Sequence, residues 1–289
     1  MKQVISIGRG DPGHWVGDGF PVRTVMSYHE DPRATSPFLL LDHAGPHDFP
    51  PGAVGRGVDW HPHRGFETVT IVYAGAVDHE DSAGHKGSIG PGEVQWMTAG
   101  HGVLHKEVHG EAWARRGGTF EVLQLWVNLP ARDKLTRPRY QALGQAEIPV
   151  VALPDGAGHV RVIAGSFAGA AGPARTFTPV DLLDLHLKAA GQVALPVRSG
   201  WTAALQVVRG EVSVNGSPAR AGDLVLLDRD GSDASVVAAT DATVFVMHGE
   251  PIDEPVAGYG PFVMNTPAEI RTAIDDYRAG RLAAVPAIA

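Results

Sequence analysis

Cysteine does not occur among the 289 residues, and that absence removes disulfides, thiolate zinc sites, iron–sulfur clusters and cysteine nucleophiles together. Any metal held by this chain must be held by nitrogen and oxygen. Basic clusters are missing too: 24 Lys and Arg stand against 32 Asp and Glu, a formal net charge of -8, with no stripe to track a phosphate backbone. Direct nucleic-acid binding is disfavoured on those electrostatic grounds. No apolar run approaches the roughly 18 residues that would span a bilayer, and the opening MKQVISIGRGDPG lacks a signal-peptide core. The expectation is a soluble, cytoplasmic protein with no membrane partner.

Glycine and proline are plentiful, at 36 and 22, and the segments between them are short and rich in Val, Leu, Ile and Thr. With 44% apolar residues the chain can bury a sizeable core. This is all-β patterning of the sandwich or barrel kind. Strands are expected in PFLLLD (37–42), ETVTIVYAG (67–75), EVQWMTA (93–99), FEVLQLWVNL (120–129), TAALQVVRGEVSV (202–214), DLVLLD (223–228) and ATVFVMHG (242–249). One helix is expected near the end, at about 267–280: Thr266 caps it, Pro267 and Glu269 follow, Ile270, Ala273, Ile274 and Tyr277 recur at helical spacing, and Gly280 stops it. It reads as an amphipathic helix packed on a sheet.

Polar, proline-containing sequence between 129 and 160 has the composition of a connection, with a boundary near 135–145. The two sides share a weak repeat, IVYAG…SIGPGEVQWM before and QVVRG…ARAGDLVLLD after. Two tandem small barrels are the simplest account, one over 1–138 and one over 139–289.

Histidine is distributed unevenly, 11 of 14 lying at or before His109. Within HPHRGFETV, residues 61–69, His61, His63 and Glu67 fall at even intervals, so in one continuous strand they share a face. Within MTAGHGVLHKEVH, residues 97–109, His105, Glu107 and His109 do the same after a Gly100/Gly102 turn. A divalent metal needs several converging donors, which two antiparallel strands supply and one cannot. His61 and His63 should meet His105 and Glu107 on an inward face, with Val69 and Ile71 continuing the lining. The carboxylate stays open between Glu107 and Glu67. The offsets carried to the second repeat fall on Pro196, Arg198, Ser235 and Val237, so only the first barrel should hold metal. His14, His29, His43, His47, His79 and His85 lie in loop-like sequence and read as surface or turn residues.

HPHRGFETV, PGEVQWMTAGHGVLHKE, LQLWVNLPARDK and GEPIDEPVAGYGPFVMNT together resemble the pirin family of the cupin superfamily over nearly the whole chain. His101 stands where Arg or Ser is common in that family's AGxG turn. The resemblance implies a bicupin, two tandem jelly-roll barrels with Fe(II) in the first, its ligands falling on His61, His63, His105 and Glu107. Glu67 then becomes a pocket residue. Mn, Ni, Co, Cu or Zn are alternatives in such a site. Three imidazoles and one carboxylate would leave two open positions on an octahedral ion. The family's flavonol-cleaving activity implies a quercetin 2,3-dioxygenase-type oxygenase acting on a small aromatic substrate and O2. Whichever of Glu107 and Glu67 is not tightly metal-bound would accept the substrate's proton. Phe66, Trp96 and Met97 are candidate pocket walls, although aromatics beside a barrel are more often core. The rival implication is a non-enzymatic, iron-dependent regulator that binds a protein partner, and a third is isomerase or decarboxylase chemistry with another metal.

Overall fold

Short apolar segments punctuated by glycine turns form antiparallel strands throughout the computed structural model, which describes residues 1–10 and 12–282. Two compact units result, and their segments interleave. A leading barrel takes residues 12–30, 39–145 and 253–282; a trailing barrel takes 1–10, 31–38 and 146–252. A linear cut at 138/139 therefore misses the exchange of chain ends, because the first strand belongs with the trailing barrel and the last helix with the leading one.

In the leading barrel a seven-stranded sheet runs in the order Arg139–Leu143, Val94–Thr98, Phe66–Ala74, Gly118–Asn128, Phe38–Phe49, Phe20–Ser27, His14–Val16. Its four-stranded sheet runs Gly57–His63, Val103–His109, Val77–Asp81, Lys86–Ile89. The trailing barrel repeats both orders. Its long sheet is Val4–Gly8, Leu224–Leu227, Thr202–Arg209, Ala242–Gly249, Val180–Leu187, Gly158–Ala164, Val150–Ala152. Its short sheet is Gln192–Pro196, Asp233–Ala238, Glu211–Val214, Ser217–Arg220. The expected repeat and all seven expected strands are thus present, with 202–214 split in two at Gly210.

The interior of the trailing barrel is filled with aliphatic side chains, among them Val193, Leu195, Val212, Val214, Ala234 and Val236. Each Val or Leu among them, when fully buried, contributes about 1.5–3 kcal/mol relative to exposure. The inward positions are therefore one residue off the ungapped offsets, for Val237 is exposed while Val236 faces the core. Among the described residues, the metal-capable clusters all lie in the leading barrel.

The final helix is Pro267–Arg278, closed by a capping box between Thr266 and Glu269. Ile270 and Ala273 pack it on the hairpin Ala257–Tyr259/Phe262–Met264. Among the described residues no helix is long and apolar enough to cross a membrane.

Candidate metal centre

The strands Gly57–His63 and Val103–His109 are antiparallel neighbours, with His61 directly opposite His105 and His63 opposite Val103. A bulge between His105 and Glu107 shifts the register there. The ligand atoms of His61, His63 and His105 lie within 4.8 Å of one another, and the ring centroids of His61 and His105 are 4.2 Å apart. Glu107 joins His105 in a second group of the same compactness, completed by His79. The four residues expected at the centre are therefore brought to one place.

Hydrogen bonding distinguishes the four imidazoles. His61 Nδ1 lies 2.8 Å from the Asp59 carbonyl and His63 Nδ1 lies 3.4 Å from the Pro261 carbonyl, so each ring donates there and keeps the Nε2 lone pair. His105 is fully buried and neither of its nitrogens has a hydrogen-bond partner. A buried ring with both nitrogens unengaged is costly unless something else binds one of them. His79 is the opposite case: Nδ1 accepts from Gln95 Nε2 at 3.2 Å and Nε2 donates to Asp81 at 3.3 Å, leaving no free donor atom. Burial holds His61 below the ordinary histidine pKa, and His63 and His105 well below it, so the rings are neutral and their lone pairs available. Three neutral imidazoles and a carboxylate, without thiolate, fit a borderline divalent ion such as Fe(II).

The Glu107 carboxylate is held by amides on the other sheet. Oε1 accepts from Gln95 Nε2 at 3.0 Å and Oε2 from Gln124 Nε2 at 3.1 Å. The Thr70 hydroxyl sits 3.1 Å from Oε1 and 2.5 Å from Gln124 Oε1, one proton between two acceptors. Tyr140 donates to Gln95 Oε1 and stacks on His79.

Glu67 is elsewhere. The strand expected to run from His61 through Glu67 ends at His63; Gly65, at φ +89, turns the chain, and Phe66–Ala74 enters the other sheet. In that strand Phe66 and Thr70 face the centre, as their contacts with His63 and Glu107 require, so Glu67, Val69 and Ile71 point to the opposite face. There Glu67 accepts from Thr98 Oγ1 at 2.7 Å, with Arg139 at 3.7 Å, and burial pushes its carboxyl up to about 7. The expectation of Val69 and Ile71 as lining fails for the same reason. Trp96, opposite Val69, shares that face and is core; Phe66 lies between His63 and Trp126.

His109 is spent on the Gly19 carbonyl and an aromatic cluster with Phe49, Trp113 and Phe120. His101 is exposed, and its carbonyl accepts from Arg64. Of the six histidines read as surface or turn residues, His43 and His79 are buried, His43 against Glu121. The residues that sequence reasoning missed are His79, Gln95, Gln124, Thr70 and Asp42. Only their strand parity could have flagged them, once the sheets were known.

A cavity of about 200 Å³ opens beside His61, His63 and Glu107. Its walls are mostly apolar, including Phe20, Val22, Val122, Trp126 and Pro261, and Asp42 and Gln124 add polar groups. Pro261 comes from the C-terminal hairpin, which thus both walls the cavity and orients His63.

The Pirin family profile matches residues 19–127, and the profile for the Pirin C-terminal cupin domain matches 182–283. A Pseudomonas aeruginosa protein provisionally named a quercetin 2,3-dioxygenase is 53% identical over 97% of this chain and 98% of its own. A pirin-like protein of Caulobacter vibrioides is 41% identical over 97% of this chain and 99% of its own. A crystal structure named quercetin 2,3-dioxygenase, from Acinetobacter baumannii, superposes with a TM-score of 0.95 at 47% identity, covering 98% of each chain.

Proposed function

The chain belongs to the pirin family, and from that premise we propose that its leading barrel is a metal-dependent dioxygenase site of the quercetin 2,3-dioxygenase type. His61, His63, His105 and Glu107 hold the ion, Fe(II) by preference. The observation that carries this reading is the fully buried His105 with both ring nitrogens unengaged, facing two other imidazoles whose Nε2 atoms are free. The metal, when bound, supplies Lewis acidity to an oxygen donor of the substrate and redox exchange with O2.

The protein's own groups do the rest. The backbone carbonyls of Asp59 and Pro261 fix the tautomers of His61 and His63. Gln95 and Gln124 hold both oxygens of Glu107, so its orientation is set before anything binds. Phe20, Val122 and Trp126 exclude water and offer flat apolar surface to an aromatic ring.

Anaerobic purification with metal analysis, followed by O2 uptake on addition of quercetin, tests the proposal. The expected result is bound iron and oxygen consumption with a flavonol, both abolished by His63→Ala. Iron without oxygen consumption across a panel of flavonols and catechols would favour the regulatory role. Turnover surviving His63→Ala would show that the activity does not depend on this metal site.

A further inference from the structure

A second carboxylate looks into the same cavity as the ligands. Asp42, on the strand Phe38–Phe49, lines it together with His61, His63, Glu107, Gln124 and Trp126, and it takes no part in the ligand set. Its Oδ1 accepts from Thr24 Oγ1 at 2.6 Å, across the strand pair in which Thr24 and Asp42 are directly opposite. Its Oδ2 has no hydrogen bond to any described residue. One oxygen is thus anchored and the other left for something else.

The volume narrows what that something is. At about 200 Å³ the cavity is smaller than the roughly 300–1,000 Å³ of sites that enclose a drug-sized molecule. A single ring with its substituents fills such a space, whether it is a whole ligand or the part of a larger one that enters beside the metal-binding residues. Carboxylate and metal donors at one apolar cavity match a ligand with two neighbouring oxygens, one to bind the ion and one to donate a hydrogen bond.

Resting on the metal site of the proposed function, we propose that Asp42 is a specificity-determining residue that accepts a hydrogen bond from the second hydroxyl of a compact vicinal diol on an aromatic ring or ene-diol. Burial raises the Asp42 carboxyl above its ordinary value, with Thr24 and His14 opposing, and a more basic carboxylate is a better acceptor for a phenolic proton. Asp42→Asn inverts this recognition while sparing the fold. The amide oxygen keeps the Thr24 bond, and an N–H donor replaces the free acceptor.

The test uses the full chain loaded with zinc, which is redox-inert, and reads ligand binding in place of turnover. Binding of 4-nitrocatechol and of 4-nitrophenol is titrated by absorbance for the wild type, Asp42→Asn and Asp42→Ala, with zinc content and thermal midpoint measured alongside. The wild type should prefer the catechol, and both variants should bind it at least about tenfold more weakly, as expected for losing a charge-assisted hydrogen bond. Binding of the phenol and zinc content should not change. Wild-type affinity for the catechol in Asp42→Asn at full zinc content overturns the Asp42 assignment alone. Failure of the wild type to take up zinc overturns the metal site, and the assignment with it.

Discussion

At the scale of single residues, what separates the centre from its surroundings is which nitrogen and oxygen atoms are already occupied. His79 lies as close to His105 and Glu107 as a ligand would, yet both its nitrogens are used by Gln95 and Asp81. Glu67 is as buried as any ligand, yet its partners are Thr98 and Arg139 on the far face of the sheet. Its titration gives a prediction of definite sign. The folded protein holds Glu67 protonated up to about pH 7, whereas an unfolded chain releases that proton near 4.5. The resulting stabilisation is complete below 4.5 and is lost as pH rises through 7, on the order of 3 kcal/mol in all. Glu67→Gln keeps a neutral group in place and should flatten this slope in urea midpoints taken between pH 4.5 and 8. It should also leave oxygen consumption intact. Loss of turnover in a well-folded Glu67→Gln protein would restore that residue to the site.

At the scale of the element, the centre depends on how closely two strands approach. Gly57 opens the ligand-bearing strand at φ +155, and a Cβ there would lie 2.2 Å from the Glu107 carbonyl oxygen and 2.5 Å from Val108 Cα. Gly57→Ala must therefore push apart the strands that carry all four expected ligands. Strained backbone alone costs about 1–3 kcal/mol, and the clash adds to it. Gly84→Ala is the matched control, with positive φ but open space around it. Thermal melts should show both variants destabilised and Gly57→Ala more so; metal affinity should fall in Gly57→Ala only. Equal affinities in the two would mean that strand spacing does not govern the site. The same geometry explains what was legible in sequence. Period-two spacing placed His61 with His63 and His105 with Glu107 correctly, because each pair sits inside one uninterrupted strand. It failed for Glu67 because Gly65 ends that strand, and a turn between the two residues destroys parity without changing their count. Asp42, Gln95 and Gln124 arrive from three further strands, and no local pattern in a chain reports which distant strands will be neighbours.

At the scale of the whole molecule, the two barrels share a strand order and differ in what fills them. Aliphatic packing closes the interior of the trailing barrel, whereas the leading one gives its inward positions to imidazoles, amides and a carboxylate. The linear repeat disclosed the two barrels, but the exchange of chain ends was hidden, because a terminal segment gives no sequence sign of which barrel it will join. That exchange has a functional consequence. The stretch after 252 supplies leading-barrel groups that nothing local replaces: the Pro261 carbonyl that accepts from His63, the Val263 carbonyl that accepts from buried Lys134, and Asp276, which pairs with Arg64 at 2.8 Å. Lys134 is held by three oxygen acceptors, from Gly65, Asn128 and Val263, and desolvation already brings its pKa down to about 7. Ending the chain at Ile252 removes one of those acceptors and frees the His63 ring to rotate. Loss of a group that orients a metal-binding histidine typically costs about 10–100-fold in metal affinity. Competition with a chelator should therefore show the shortened chain binding iron or zinc at least tenfold more weakly, together with a lower melting temperature. A chain ending at Ile252 that kept full metal affinity would show that the leading barrel orients His63 without its C-terminal hairpin.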